Sequence, residues 1–427
     1  MFDVKIMDKD RKKSMTFFAL TLALMPILNN YQFIINGIGI GDVLIAFSLL
    51  NIFIKRRTFK ISGIHGPLVV FFLYSFLISL ITVAIHDSFS FRDVLVRMTI
   101  FAFYTILICA PSNEDFSADS FSKIYTSIAF VCCIFLVIQF ISFHLFGRIV
   151  LGIIPGIPLN YSIRNYSELV SKYGSMYSYF YRPASLFLEP AHFAQFMGPA
   201  LLFVLFDEKR KNRFPVAVFF SIAVLLSTST NAVVIVIVAW VSYLAYEILQ
   251  TKNVQNLLRI ISVVIAIIVI IAVSARFSET FSYGITRLQK LIAGSDASGS
   301  AYERVMKGFE IWKQLNILEK IFGIGFGTYD SYYSLGTLSV YNGEVEYMSS
   351  ISYILVSGGI IGLTLFISAI AKYMRLRNYF NYALILFLTI VFFSSSVFNT
   401  PIYAIVMLMI SHNCNSMRNN KGIVIDG

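Results

Sequence analysis

Residues 181–206 read YRPASLFLEPAHFAQFMGPALLFVLF, and the change of character halfway along this run decides the fold. Its first half gathers Tyr181, Arg182, Ser185, Glu189 and His192, whereas from Phe193 to Phe206 no side chain carries a charge. Proline suits the first position of a helix because its missing N–H costs nothing there, and it holds the preceding residue out of α geometry. Pro190 therefore predicts a helix start with Glu189 at the cap, at the end of the helix dipole that favours negative charge. A carboxylate, a guanidinium and an imidazole thus collect at the mouth of a segment apolar enough to enter a bilayer. Two readings of Glu189 stand open: a cap paired with Arg182, or a functional carboxylate.

Hydrophobic residues make up 57% of the chain and charged residues 13%, against roughly 45–50% and about 25% in soluble domains. That composition predicts an integral membrane protein. About twelve apolar runs approach the ~20 residues of a helical span, so the expected fold is a polytopic all-α membrane domain over residues 1–427, not a barrel. The runs lie near 15–29, 35–54, 66–85, 91–110, 124–146 and 190–206, on either side of 227–231, and near 260–274, 348–371, 382–398 and 401–411. Two long polar segments interrupt them, 147–188 and 276–347. Lys and Arg are concentrated in the short connections on the side of the two termini, which predicts cytoplasmic termini and two long extracytoplasmic loops. The net charge of +11 is accordingly read as membrane orientation, and no nucleic-acid partner is expected. Cys109, Cys132, Cys133 and Cys414 match no zinc or disulfide framework and read as packing residues. Neither a metal nor a cofactor is expected, and the charged N-terminus shows no removable signal peptide.

The second long loop carries its own cations: Arg276, Arg287, Lys290, Arg304 and Lys307. Tyr302, Met306, Phe309 and Trp312 recur at helical steps, predicting an amphipathic helix lying on or near the bilayer. Arginines projecting from it suit bidentate phosphate binding; the alternative is a solvated face, the reading applied most readily to Lys307. Further on, KIFGIGFGTYD places Gly323, Gly325 and Gly327 at alternate positions. Without a strand–turn–helix context this is no dinucleotide fingerprint, and a tight turn is expected. In the first loop Tyr161, Tyr166, Tyr173, Tyr177, Tyr179 and Tyr181 could line a cleft or anchor the interface. Asp42 reads as a cap for the run VLIAF, with a role as base the lesser alternative.

Taken together, R-P-x-S-x-F-x-E-P-x-x-F at Arg182–Phe193, the STSTN turn, the segment around Arg304, KIFGIGFGTYD, and SSISYILVSGGIIGL at Ser349–Leu363 resemble the bacterial O-antigen polymerase and ligase superfamily. The resemblance covers about Arg182 to Leu363. It implies a GT-C-like fold in the bacterial cytoplasmic (inner) membrane and a glycosyltransferase that joins undecaprenyl-pyrophosphate-linked oligosaccharides outside, as O-antigen or capsule. By position it implies that Arg182, Arg276 and Arg304, with Arg287 and Tyr181 nearby, bind the donor, while Glu189 acts in or beside the catalytic centre and His192 is the second candidate base. Ligases of that group use a histidine in the second long loop. The histidines here are His65, His86, His144, His192 and His412, none of them in that loop, which favours a polymerase. The expected partners are lipid-linked donor and acceptor, membrane lipids, a chain-length regulator and a flippase. A flippase or permease is the rival reading, opposed by the scarcity of charge inside the spans.

Overall fold

The computed structural model describes residues 2–33, 37–56, 63–86, 89–160, 181–251, 258, 261–262, 265, 300–334, 348–374 and 378–421. Their regular structure is helical: α1 (Phe2–Leu28), α2 (Ile40–Arg56), α3 (Gly66–Ile85), α4 (Phe91–Cys109), α5 (Ala118–Phe146), α6 (Pro190–Leu205), α7 (Arg213–Leu226), α8 (Thr230–Tyr246), α9 (Ser300–Gln314), α10 (Ile317–Phe322), α11 (Tyr329–Ser334), α12 (Ser350–Met374), α13 (Tyr379–Ser394) and α14 (Pro401–Lys421). Among the described residues four stretches are long and apolar enough to cross a membrane, Gly63–Ile85, Ala118–Phe146, Thr230–Gln250 and Ser350–Met374, and several shorter apolar helices accompany them. The chain is a helical membrane protein. Each expected apolar run has a helix except that near 260–274, most of which lies outside the described residues.

Two compact units divide the chain. The first comprises Met1–Arg57 and Ser112–Gln289, the second Thr58–Pro111 and Lys290–Gly427. In the first unit α6 packs against α5, α7 and α8, and every residue from Phe193 to Leu205 is buried. A helix apolar on all sides is stable only when enclosed. Pro199 inside it lacks the N–H that would bond the Gln195 carbonyl, and next to that break the Tyr125 hydroxyl donates to the Phe196 carbonyl at 2.8 Å. The Trp240 indole of α8 donates to the Ser221 hydroxyl of α7 at 2.9 Å, giving a buried N–H its partner.

In the second unit α12 packs against α3, α9, α10 and α13, and it is broken at Gly359, whose φ of 64° and ψ of −168° leave helical geometry. The expected glycine turn sits against this break. Gly323, Gly325 and Gly327 all have φ between 85° and 88°, a left-handed region that other residues enter only at a cost. The Ile324 and Gly325 amides donate to the Val356 and Ser357 carbonyls at 3.1 and 2.9 Å. A Cβ on Gly323 would collide with the Ser357 carbonyl, and one on Gly359 with the Ile321 carbonyl. Backbone thus lies directly on backbone. From α3 the Ser79 hydroxyl accepts the Phe326 amide at 2.7 Å, while the Phe326 ring enters a cluster with Phe71, Phe101, Tyr353 and Phe398.

α9 packs against α12 and α13, with Ile311, and Leu315 just past its end, in a core shared with Phe89, Ile324, Tyr329 and Val356. One expectation is corrected here: Lys307 is not on a solvated face, being only 5% exposed. Gly308 beside it abuts Ser352 of α12, and this close approach carries the stem of Lys307 inward.

Candidate functional site

The segment 181–189 has no regular structure, yet it is buried in the first unit by hydrogen bonds to four different places. Tyr181 donates from its hydroxyl to the Val150 carbonyl at 2.9 Å and packs on the Phe143 ring at 5.0 Å. The Arg182 guanidinium reaches the turn between α7 and α8, where Nε donates to Thr228 Oγ1 at 3.3 Å and Nη2 to the Thr228 carbonyl at 3.2 Å. Thr228 has a φ of 53°, so the arginine is bonded to a turn that is itself in left-handed geometry. At the C-terminal end of α1 the Asn30 amide donates to the Leu186 carbonyl at 2.9 Å.

Ser185 makes the deepest attachment. Its φ is 55°, and its hydroxyl donates to the carbonyl of Cys132, halfway along α5, at 2.7 Å. The Gln139 side chain, 1% exposed, accepts the Ser185 amide at 2.8 Å and donates to the Ser185 and Val150 carbonyls at 3.1 and 2.9 Å. Buried backbone groups outside a helix need partners, and here one glutamine supplies three of them. Gly152 permits the neighbouring strand of chain to pass, since a Cβ there would collide with the Ser185 carbonyl. A recess of about 10 Å³ lies among Gln139, Gly152, Tyr181, Arg182 and Ser185, the size of one water molecule. It is too small for a phosphate or a sugar.

Glu189 ends the segment, extended at φ −134° and ψ 145°, with Pro190 as the first helical residue. Its carbonyl accepts the His192 and Phe193 amides at 3.1 and 3.2 Å. Its carboxylate does not cap the helix, and among the described residues it has neither a hydrogen-bond nor an ion-pair partner. The expected pairing with Arg182 is therefore absent. Glu189 is exposed, and half-buried His192 stands one turn further along the same helix. Tyr181, Arg182, Glu189 and His192 thus share one short stretch of chain, along which Tyr181 turns to Val150 and Arg182 to Thr228.

Of the other sequence candidates, Arg276 and Arg287 lie outside the described residues, as do Tyr161, Tyr166, Tyr173, Tyr177 and Tyr179. Arg304 lies in α9, with its side chain outside them. Asp42 is structural: its carboxylate accepts Asn29 Nδ2 at 2.8 Å and the Gly39 amide at 3.1 Å, while the Asp42 amide donates back to Asn29 Oδ1 at 2.9 Å. Sequence reasoning passed over Gln139, and it singled out the STSTN turn without foreseeing that Thr228 in it would hold Arg182. A lone glutamine amid the apolar residues of α5 was the available signal, because a polar side chain in such a run needs a partner. Among the described residues no three His, Cys, Asp or Glu side chains converge as a metal site would require.

Chemically, the segment offers an exposed carboxylate that has no bond among the described residues, a half-buried imidazole three residues on, and a guanidinium bonded to the Thr228 turn. No family model, no curated protein and no solved structure matches the chain.

Proposed function

We propose that this protein is a polysaccharide polymerase, a glycosyltransferase that moves a growing glycan from undecaprenyl pyrophosphate onto a sugar hydroxyl of another lipid-linked repeat unit. In this reading the reaction takes place on the outer face of a bacterial cytoplasmic membrane, with about twelve spans in a GT-C-like arrangement and cytoplasmic termini. The observation that carries it is the exposed Glu189 carboxylate, without a bond among the described residues, at the end of a segment held by several hydrogen bonds. A general base must reach the hydroxyl it deprotonates, and a carboxylate already occupied by a cap or an ion pair could not.

Glu189 takes the proton of the acceptor hydroxyl as that oxygen bonds to the anomeric carbon of the donor sugar. The bond from that carbon to the pyrophosphate oxygen breaks, and the electron pair leaves with undecaprenyl pyrophosphate. Developing negative charge on the leaving group calls for preorganised cations. Arg182 holds the Thr228 turn against the catalytic segment, and Arg276, Arg287 and Arg304 supply the remaining positive charge. His192 is the second candidate for the base.

The test is Glu189→Gln, with membrane abundance and polymer length measured in the same cells. Normal abundance with lipid-linked single repeats is the expected result. Normal-length polymer would overturn the catalytic assignment, and single repeats trapped in the cytoplasm on deleting the protein would point to a flippase instead.

A further inference from the structure

The short helix α10 wears its side chains inside out. Ile317 and Leu318 are 75% and 64% exposed, and Ile321 and Phe322 are exposed with them. Its two charged residues are half-buried and have partners in the protein. The Glu319 carboxylate accepts the Tyr332 hydroxyl and, at 2.9 Å, the Asn316 amide, while the Lys320 ammonium stands 5.8 Å from the centre of the Trp312 ring. A surface helix in water shows the opposite pattern. The last carbonyls of a helix have no partner within it and are ordinarily left to water. Here the Lys320 carbonyl accepts the Trp312 indole at 3.3 Å, and the Phe322 carbonyl accepts the Tyr74 hydroxyl at 2.7 Å. The same hydroxyl lies 3.0 Å from the Gly358 carbonyl, beside the break in α12. Carbonyls at a surface depend on such donors where water is missing.

The depth of this helix follows from its two neighbours. The Lys372 ammonium donates to the Gly63 carbonyl at 2.6 Å, and the Tyr373 hydroxyl is 2.8 Å from His65 Nδ1, so the end of α12 meets the start of α3 and the two run antiparallel. The start of α12 and the end of α3 therefore share one side of the membrane, and on that side Gly308 of α9 abuts Ser352. Phe322 and Gly323 reach Tyr74, halfway along the span Gly63–Ile85, and Gly359, near the middle of Ser350–Met374. The chain then climbs back, with the Phe326 amide bonded to Ser79 and Gly327 packed on Asp93 in the first turn of α4. It enters and leaves by the same side. We infer that residues 315–327, which the sequence places in an extracytoplasmic loop, form a re-entrant segment that turns at Gly323 in the middle of the bilayer. Ile317, Leu318, Ile321 and Phe322 are its docking surface for lipid acyl chains. Exposed Leu77 on α3 and Ile360 on α12 lie at the same depth and continue that surface. Irregular backbone is tolerated there because the Val356 and Ser357 carbonyls and the Ser79 hydroxyl bond it.

Nitroxide labels on Leu318→Cys and Ile321→Cys test this in phospholipid vesicles holding the full chain with Cys414→Ser, since Cys109, Cys132 and Cys133 are buried. Leu77→Cys on α3 and Lys209→Cys in the turn after α6, both exposed positions, give the lipid and water references. Both test labels are expected to match Leu77, with collisions with oxygen, which dissolves in hydrocarbon, exceeding those with a water-soluble nickel chelate severalfold. Nickel access like that at Lys209 would put the surface in water and overturn the inference. Protection from both probes would mean that protein covers the surface, which overturns it too. Leu318→Asp gives an independent readout. A carboxylate in hydrocarbon is costly, so a lower melting temperature is expected, whereas in water the change only removes an exposed leucine. An unchanged melt would again overturn the inference. Neither failure touches the proposed glycosyltransferase, which rests on Glu189 in the other unit.

Discussion

Residues 181–189 of the first unit and residues 323–327 of the second solve one problem in opposite ways. Each is non-helical chain buried among helices, where every amide and carbonyl needs a partner. The first segment is held by side chains: Gln139, Asn30 and the Tyr181 and Ser185 hydroxyls complete its bonds. The second is held mainly by its own backbone against the Val356 and Ser357 carbonyls, an approach permitted by Gly323 and Gly359, where a Cβ would collide with the facing chain; only the Phe326 amide uses a side chain, the Ser79 hydroxyl. The first segment spends its own Tyr181, Arg182 and Ser185 side chains on this attachment and leaves Glu189, at its end, exposed. One attached through glycine backbone has few side chains to offer and serves to position the next stretch of chain, here α11.

The largest expected effect tests the glycine contact. Gly323→Ala combines a collision with the Ser357 carbonyl and a φ of 88°, and should cost at least about 3 kcal/mol, seen as loss of folded protein in a detergent melt. Near-normal stability would show that the hairpin can leave α12 freely, and the contrast between the two segments would break.

Next comes Gln139→Leu, which keeps volume but strips three partners from the Ser185 region. A loss of about 2–3 kcal/mol is expected, with polymer length falling because the Glu189 segment loosens. If stability falls while polymer length per molecule is unchanged, the rigidity of that segment is irrelevant to function.

Lys307→Ala should cost about 2 kcal/mol, since a buried stem and its polar head are both removed. Exposed Lys313→Ala, six residues along the same helix, should change stability by less than about 0.5 kcal/mol. Equal melting temperatures for the two variants would contradict the inward placement of Lys307.

The smallest stability effect is expected at the most important residue. Because the Glu189 carboxylate makes no cap bond, Glu189→Gln should shift stability by less than about 0.5 kcal/mol even as chain extension stops. A large drop in melting temperature would instead show that Glu189 is structural.

Much of this architecture was legible in the chain alone. Runs of apolar residues forecast the helices, since a backbone in lipid must satisfy its own hydrogen bonds, and Pro190 marked the start of α6 with Glu189 outside it. Glycine alternation forecast a turn, because positive φ is a local property. The partners of these elements were decided by tertiary structure. Nothing near Arg182 in sequence points to Thr228, and nothing in the AYERVMKGFEIW pattern tells a helix on a bilayer from one packed against α12, because an amphipathic stripe records that a face is buried and not what buries it. Lys307 went inward because Gly308 let α9 close on Ser352. Among the described residues Glu189 has no partner, and Arg182 is bonded instead to a turn 46 residues away. Periodicity and local geometry depend on neighbours in the chain, whereas burial and pairing depend on neighbours in space.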